Sequence, residues 1–311
     1  MIEKMLHSPS PSISWRKDLK KLKGRRIYIY KAYLLILPSL IICFSLGFYP
    51  LLQVICYSFF YKTLEDEIPT FQGLSNFLRI FNTEIIRNSL VTTFYFVVGA
   101  VSIEMLLGLG LALLLNREFR GKGIYRYVII FPMAISPMLA ALMWDLTLLP
   151  ETGPVNYILE ILGLPQPKWF AGSALEAFLA VILVDVWQWT PFVILVLLSG
   201  LQAVPQQLCE AAKIDGANRM QVFRYVILPY LRNLILLVLL IRVADAFRTM
   251  DMIYGTTNGG PGTATLVFSL LLYYVVYSQH LLGIGSAMAI IMFIILYIIC
   301  TAAFKVARGV R

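Results

Sequence analysis

The sequence predicts an all-α membrane protein with six transmembrane helices. Composition is the first observation behind this. Of 311 residues, 59% are hydrophobic and only 14% are charged, whereas an ordinary soluble domain is about a quarter charged. The length of the apolar runs is the second. A span needs about 20 mostly apolar residues, because about 30 Å of hydrocarbon is crossed at about 1.5 Å per residue. Six stretches qualify, at 33–58, 89–115, 124–148, 175–200, 229–252 and 284–304. The fifth is the least clean, since it holds Arg242, Asp245, Arg248 and Asp251.

The third observation is where the basic residues fall. They crowd the segment before the first span (Lys4 through Lys31), the segment after the second (Arg117, Arg120, Lys122, Arg126), the segment after the fourth (Lys213, Arg219, Arg224) and the end of the chain (Lys305, Arg308, Arg311). The opposite side has Lys62, Arg79, Arg87 and Lys168. By the positive-inside rule both termini face the cytoplasm. This distribution also explains the net charge of +9. Basic groups beside a membrane suit its anionic inner leaflet, so no nucleic-acid partner is implied.

The elements follow in order. Residues 1–32 form a basic cytoplasmic tail, too long and polar for a simple signal peptide. Residues 33–88 hold the first span and an external segment rich in turn formers. Residues 89–304 form a five-helix core. Within it, 149–170 carries a short amphipathic run between turns, and 255–265 is a Gly-rich external loop. Residues 305–311 are a second basic cytoplasmic tail. Cys43, Cys56, Cys209 and Cys300 show no paired spacing, so neither a disulfide framework nor a metal site is indicated.

Between the fourth and fifth spans lies EAAKIDGANRMQVFRYVILP, from Glu210 to Pro229. It is too polar for a span and too periodic for a slack loop. Pro205 suits a helix start, and 205–214 read as a short helix. Asp215-Gly216 is a turn signal. Residues 217–227 read as a second helix, with Met220, Phe223, Val226 and Ile227 on its apolar side. On pattern alone this is an amphipathic interfacial connector or a docking element that carries motion from a cytoplasmic partner.

The residues Glu210-Ala211-Ala212, Asp215-Gly216-Ala217, Phe223, Val226 and Leu228-Pro229 resemble the EAA signature of permease subunits in binding-protein-dependent ABC importers. The resemblance runs from about Asn88 to Phe304. NGGPGTAT, LLYYVVY and LGIGSAMA resemble the carbohydrate branch, the maltose and glycerol-phosphate permeases. Val226 stands where Ile is more usual, and Asn233 where a Pro is often found. The resemblance implies a type I ABC importer transmembrane domain in the cytoplasmic membrane. It implies a second permease subunit (a paralogue in this branch), an ATPase dimer and an external solute-binding protein. It assigns Glu210, Ala211, Ala212, Asp215 and Gly216 to coupling with the ATPase. No cofactor is expected on this chain; ATP and Mg belong to the ATPase.

Charges inside the bilayer are costly, about 2.5–3.5 kcal/mol each at the centre on insertion scales, and should face a partner or a watery path. Glu104 and Arg242 fall at similar depths, and Glu104 is expected to pair with Arg242 or another basic group. Asp185, Gln188, Trp189 and Phe192 share overlapping helix faces, as do Asp245, Arg248 and Thr249. Sugar sites combine aromatic faces with fixed hydroxyl acceptors, so Asp185, Gln188, Trp189, Phe192, Asp245 and Thr249 are candidates for a solute path. The resemblance adds Ala246 to them. The plainer alternative is that the tryptophans pack and the aspartates are structural.

Other classes fit less well. An enzyme would need clustered nucleophiles, ligands or acid–base pairs, yet His7 and His280 lie on opposite sides of the membrane. GxxxxGK[ST] is absent, so this chain carries no Walker loop of its own. An ion-driven secondary transporter or a channel would not need the EAA element. The solute is expected to be a sugar or oligosaccharide, with glycerol phosphate or another polar solute of the same family as the alternative.

Overall fold

A computed structural model describes residues 33–65, 68–117 and 121–309. The tail at 1–32, Arg120, Arg311 and the side chains of Lys122, Arg126 and Arg308 lie outside the described residues. The chain divides into two compact units at Cys56/Tyr57. Helix α1 (Tyr33–Tyr57) carries the first span. None of its residues from 33 to 52 is buried, as suits a helix whose side chains are apolar on every face.

The second unit opens with a two-residue hairpin, β1 (Phe60–Tyr61) antiparallel to β2 (Thr70–Phe71). Helix α2 (Ser75–Asn82) follows, and its buried Asn76 donates from Nδ2 to the Ser58 and Phe60 carbonyls, both at 2.9 Å. Helix α3 (Glu84–Leu115) is the second span and begins earlier than its apolar run. Helices α4 (Lys122–Ile130) and α5 (Pro137–Thr147) replace the third span. A short helix α6 (Pro154–Ile161) precedes the fourth span, α7 (Ala174–Gln202). A capping box sets the α7 start: Ser173 Oγ accepts from Glu176 N and Glu176 Oε2 accepts from Ser173 N. Next come α8 (Gln206–Ile214), α9 (Arg219–Arg248), α10 (Asp251–Thr256), α11 (Phe268–Ser278) and α12 (Leu282–Gly309).

The all-α expectation holds. Five described helices are long and apolar enough to cross a membrane, or six if the bent pair Gly123–Ala134 and Pro137–Thr147 is counted as one broken span. Three boundaries differ from the sequence reading. The third span is not continuous: Gly123–Ala134 and Pro137–Thr147 meet at 102°. Pro137 lacks an N–H and pushes the residue before it out of helical geometry; Ser136 has ψ 145° and caps α5 instead. The helix after Gly216 is not separate from the fifth span. It runs into it through a π turn at Phe223–Ile227, where Leu228 N donates to Phe223 O. The wider turn relieves the clash that the Pro229 ring would make four residues back. The fifth span also stops at Arg248 rather than 252, because Thr249 leaves helical geometry at ψ 119°. Ser269 Oγ donates to the freed Thr249 carbonyl at 2.6 Å.

Two apolar clusters stack along α3, α7 and α9. One includes Phe96, Val101, Val184, Phe247, Phe268 and Met288. The other includes Ala112, Val193, Leu197, Leu201, Leu231 and Val238. Helix α3 packs most extensively on α7. Lipid offers no hydrophobic drive between helices, so close approach depends on small residues. A Cβ placed on Gly108 would come within 2.4 Å of Val193 Cγ1 and 2.7 Å of its Cβ. A valine is stiff at χ1 and cannot swing its own Cβ aside. Gly108→Ala is therefore expected to destabilise the α3–α7 pair by about 1–3 kcal/mol. Thermal unfolding of the detergent-purified protein should show a lowered midpoint, and an unchanged midpoint would refute the close-packing account.

Candidate functional site

Between the two apolar clusters lies a polar layer. Arg242 of α9 donates from Nε to Glu104 Oε2 at 2.6 Å and from Nη2 to Glu104 Oε1 at 2.9 Å. The same Nη2 reaches Asp185 Oδ2 at 3.2 Å. Arg242, Glu104 and Asp185 are 1%, 0% and 1% exposed. The Arg242 guanidinium carbon also lies 4.8 Å from the centre of the Trp189 ring. One fork-shaped cation thus ties α3, α7 and α9 through a bidentate pair, a second carboxyl and an aromatic face. The sequence reading separated Asp185 from the Glu104–Arg242 pair, because only depth could be compared. In three dimensions the 57-residue separation between Asp185 and Arg242 closes to a hydrogen bond.

Above this layer opens a cavity of about 330 Å³. Asp185, Trp189, Asp245 and Thr249 of the candidate solute path line it, together with Arg248 and Asp251. Pro137, Met250 and Met252 complete the lining. Both chain breaks contribute: Pro137 starts α5 after the 102° bend, and residues 249–252 follow the end of α9. Asp185 is buried, and its Oδ1 has no protein partner. Arg248 Nη2 donates to Asp245 Oδ1 at 2.8 Å.

Three candidates lie elsewhere. Gln188 is buried and donates from Nε2 to the Ile135 carbonyl at 2.9 Å, satisfying the backbone where the third span breaks. Phe192 packs against the cluster around Val193 and Leu197. Ala246 is buried in the cluster around Phe247. Trp187 meets Trp144 edge to face at 5.5 Å, a packing contact rather than a cavity wall. Sequence reasoning missed Pro137, Met250, Asp251 and Met252. Pro137 inside an apolar run was the available signal, since a proline there marks a break.

The second candidate site is the polar segment between α7 and α9. Pro205, in extended geometry, precedes α8. The helix ends in a Schellman motif: Ala217 N donates to Ala212 O at 2.9 Å and Gly216 N to Lys213 O at 3.0 Å. Gly216 has φ +85°, a conformation that costs other residues about 1–2 kcal/mol. Asn218 and Gln221 then close a capping box that starts α9. Glu210, Ala211, Asp215 and Gly216 are exposed, and Ala212 is half-buried. The expected apolar side is corrected in one place. Met220 is 69% exposed, and Val222 is the buried residue. Leu208 and Ile214 are exposed as well, Ile214 at 85%.

Removing one member of a buried ion group strands the others, at about 3–5 kcal/mol. Arg242→Met is expected to destabilise by this amount. Adding Glu104→Gln in the same background should recover part of the loss. A double-mutant cycle on unfolding in detergent checks it, and strictly additive penalties would mean the two groups do not interact.

The family model described as "Binding-protein-dependent transport system inner membrane component" matches residues 104–308. The trehalose/maltose transport system permease protein MalF of Thermococcus litoralis is 37% identical over 288 residues, covering 93% of this chain and 96% of that protein. The sn-glycerol-3-phosphate transport system permease protein UgpA of Agrobacterium fabrum is 32% identical, covering 88% and 92%. Among solved structures, a bacterial ABC transporter involved in import of the acidic polysaccharide alginate has a chain that superposes with TM-score 0.81. It is 21% identical and covers 93% of this chain and 99% of that one, a likeness of fold. This chain is a multi-pass membrane protein, and it belongs to the family of inner membrane components of binding-protein-dependent transport systems.

Proposed function

We propose that this chain is one permease subunit of an ATP-driven importer that moves a carbohydrate across the cytoplasmic membrane. Residues 1–32 and 305–311 are its basic cytoplasmic tails, and 89–304 is its five-helix transport core. A second, paralogous permease subunit completes the pathway. An ATPase dimer binds ATP and Mg on the cytoplasmic side, and an external binding protein delivers the solute. The carbohydrate assignment draws on the relatives, the first of which is a trehalose/maltose permease.

The observation that carries the coupling role is the shape of the 205–227 segment. It holds two capped helical pieces joined by a left-handed glycine, with Glu210, Asp215 and Ile214 facing out. A docking element needs stiffness, an exposed carboxylate and exposed apolar knobs, and this segment has them. Because α9 is continuous from Arg219 to Arg248, a push on the segment reaches Arg242 along one helix. Lys213, Arg219 and Arg224 support a cytoplasmic position for the segment under the positive-inside rule. Asp185, Trp189, Asp245 and Thr249 are the solute-path residues in this reading; Gln188 and Phe192 shape the path from behind.

Glu210→Ala and Ile214→Glu, made in the assembled transporter, test the coupling role. Each is expected to cut solute transport at least tenfold and to weaken retention of the ATPase during purification, with the unfolding midpoint of the permease unchanged. Wild-type transport and ATPase retention in both variants would overturn the assignment.

A further inference from the structure

Helix α2 presents three different sides. Asn76 and Ile80 are buried in the protein, and half-buried Phe77 packs beside them. Ser75, Arg79 and Asn82 form an exposed polar side. The third side is apolar and uncovered: Leu74, just before the helix, Leu78 and Phe81 are 63%, 63% and 55% exposed. Steps of four and three residues stack them in one stripe. The helix is not free to roll and hide it. Asn76 Nδ2 is bonded to the Ser58 and Phe60 carbonyls at 2.9 Å each, and the Phe77 ring lies 5.7 Å from that of Phe59.

We propose that α2 lies in the headgroup layer of the membrane, with Leu74, Leu78 and Phe81 against lipid and Ser75, Arg79 and Asn82 toward water. A helix with adjoining apolar and polar exposed sides suits that boundary, where the apolar side sinks about 5–10 Å into the layer between headgroups and acyl chains. Continuity favours lipid over a protein partner. Thr83, at ψ 115°, turns the chain directly from α2 into α3, which is a membrane span. Ile85, Phe94, Tyr95 and Val98 of α3 are exposed and carry the apolar surface on along the span. The polar side fits the same place, since the Arg79 guanidinium matches a lipid phosphate. The headgroup layer concerned is the one at the end of α3 away from the 205–227 segment, because Asn116 at its other end shares a crevice with Gln202 and Gln206. In the orientation proposed above, this is the outer leaflet. The helix would hold the hairpin and the start of α3 at a fixed height on the membrane.

Spin labels read which phase each side meets. Leu78→Cys, Phe81→Cys and Arg79→Cys are made one at a time in the full chain, with Cys43, Cys56, Cys209 and Cys300 replaced by alanine. Each variant is assembled with its partner subunits in nanodiscs of phosphatidylethanolamine and phosphatidylglycerol. Power saturation is compared between oxygen, which partitions into hydrocarbon, and a water-soluble nickel chelate. Labels at 78 and 81 should favour oxygen over nickel several-fold more than the label at 79, with or without the external binding protein. The two apolar positions are separate readings, so a local disturbance at one leaves the other to decide. Nickel access at 78 and 81 equal to that at 79 would overturn the proposal, because the stripe would then face water. Shielding from both reagents would overturn it in favour of a subunit contact. Shielding that appears only when the binding protein is added would overturn it in favour of a docking surface.

Discussion

One buried guanidinium organises the transport core. Arg242 meets Glu104 and Asp185 from two other spans and stacks on Trp189. Taking such a charge out of water is expensive, and a buried ion group is rarely worth more than well-packed apolar residues. What it contributes here is register. A fork with fixed geometry and two carboxyl partners allows few alternative ways for α3, α7 and α9 to slide past one another. The apolar clusters on either side are built from aliphatic and aromatic residues that would tolerate a slip; the ion group would not.

The cavity exists because two helices end where continuous spans would have filled the space. Pro137 breaks one, and the turn at Thr249 ends the other. Each break frees backbone groups, and in a membrane those groups must find partners within the protein. Gln188 and Ser269 supply them. Gln188, a solute-path candidate by sequence, is thereby committed to the backbone at the break in the third span. The remaining polar groups, Asp185, Asp245 and Thr249, stay available to it.

At the opposite end, the segment between α7 and α9 joins to the core without a flexible link. The π turn at Phe223–Ile227 carries helical geometry past Pro229 and into the membrane. The helix that starts just after Gly216 is thus the one that bears Arg242. One continuous helix, Arg219–Arg248, joins the turn at Gly216 to the ion layer.

Much of this was legible in the sequence. Composition and run length established the helical membrane class. The Asp-Gly turn and the EAA spacing located the helix–turn–helix between α7 and α9 to within a residue or two. These features are local, set by the backbone preferences of Gly and Pro or by side-chain transfer energies. The depth of Glu104 and Arg242 suggested their pairing. The membership of Asp185 in the same group, the diversion of Gln188 to Ile135, the burial of Phe192 and Ala246, and the cavity shared by Asp245 and Asp251 were decided only in three dimensions. The reason is geometric: periodicity assigns a residue to a helix face, but which neighbour that face meets depends on where the helices break and how closely glycines such as Gly108 let them approach.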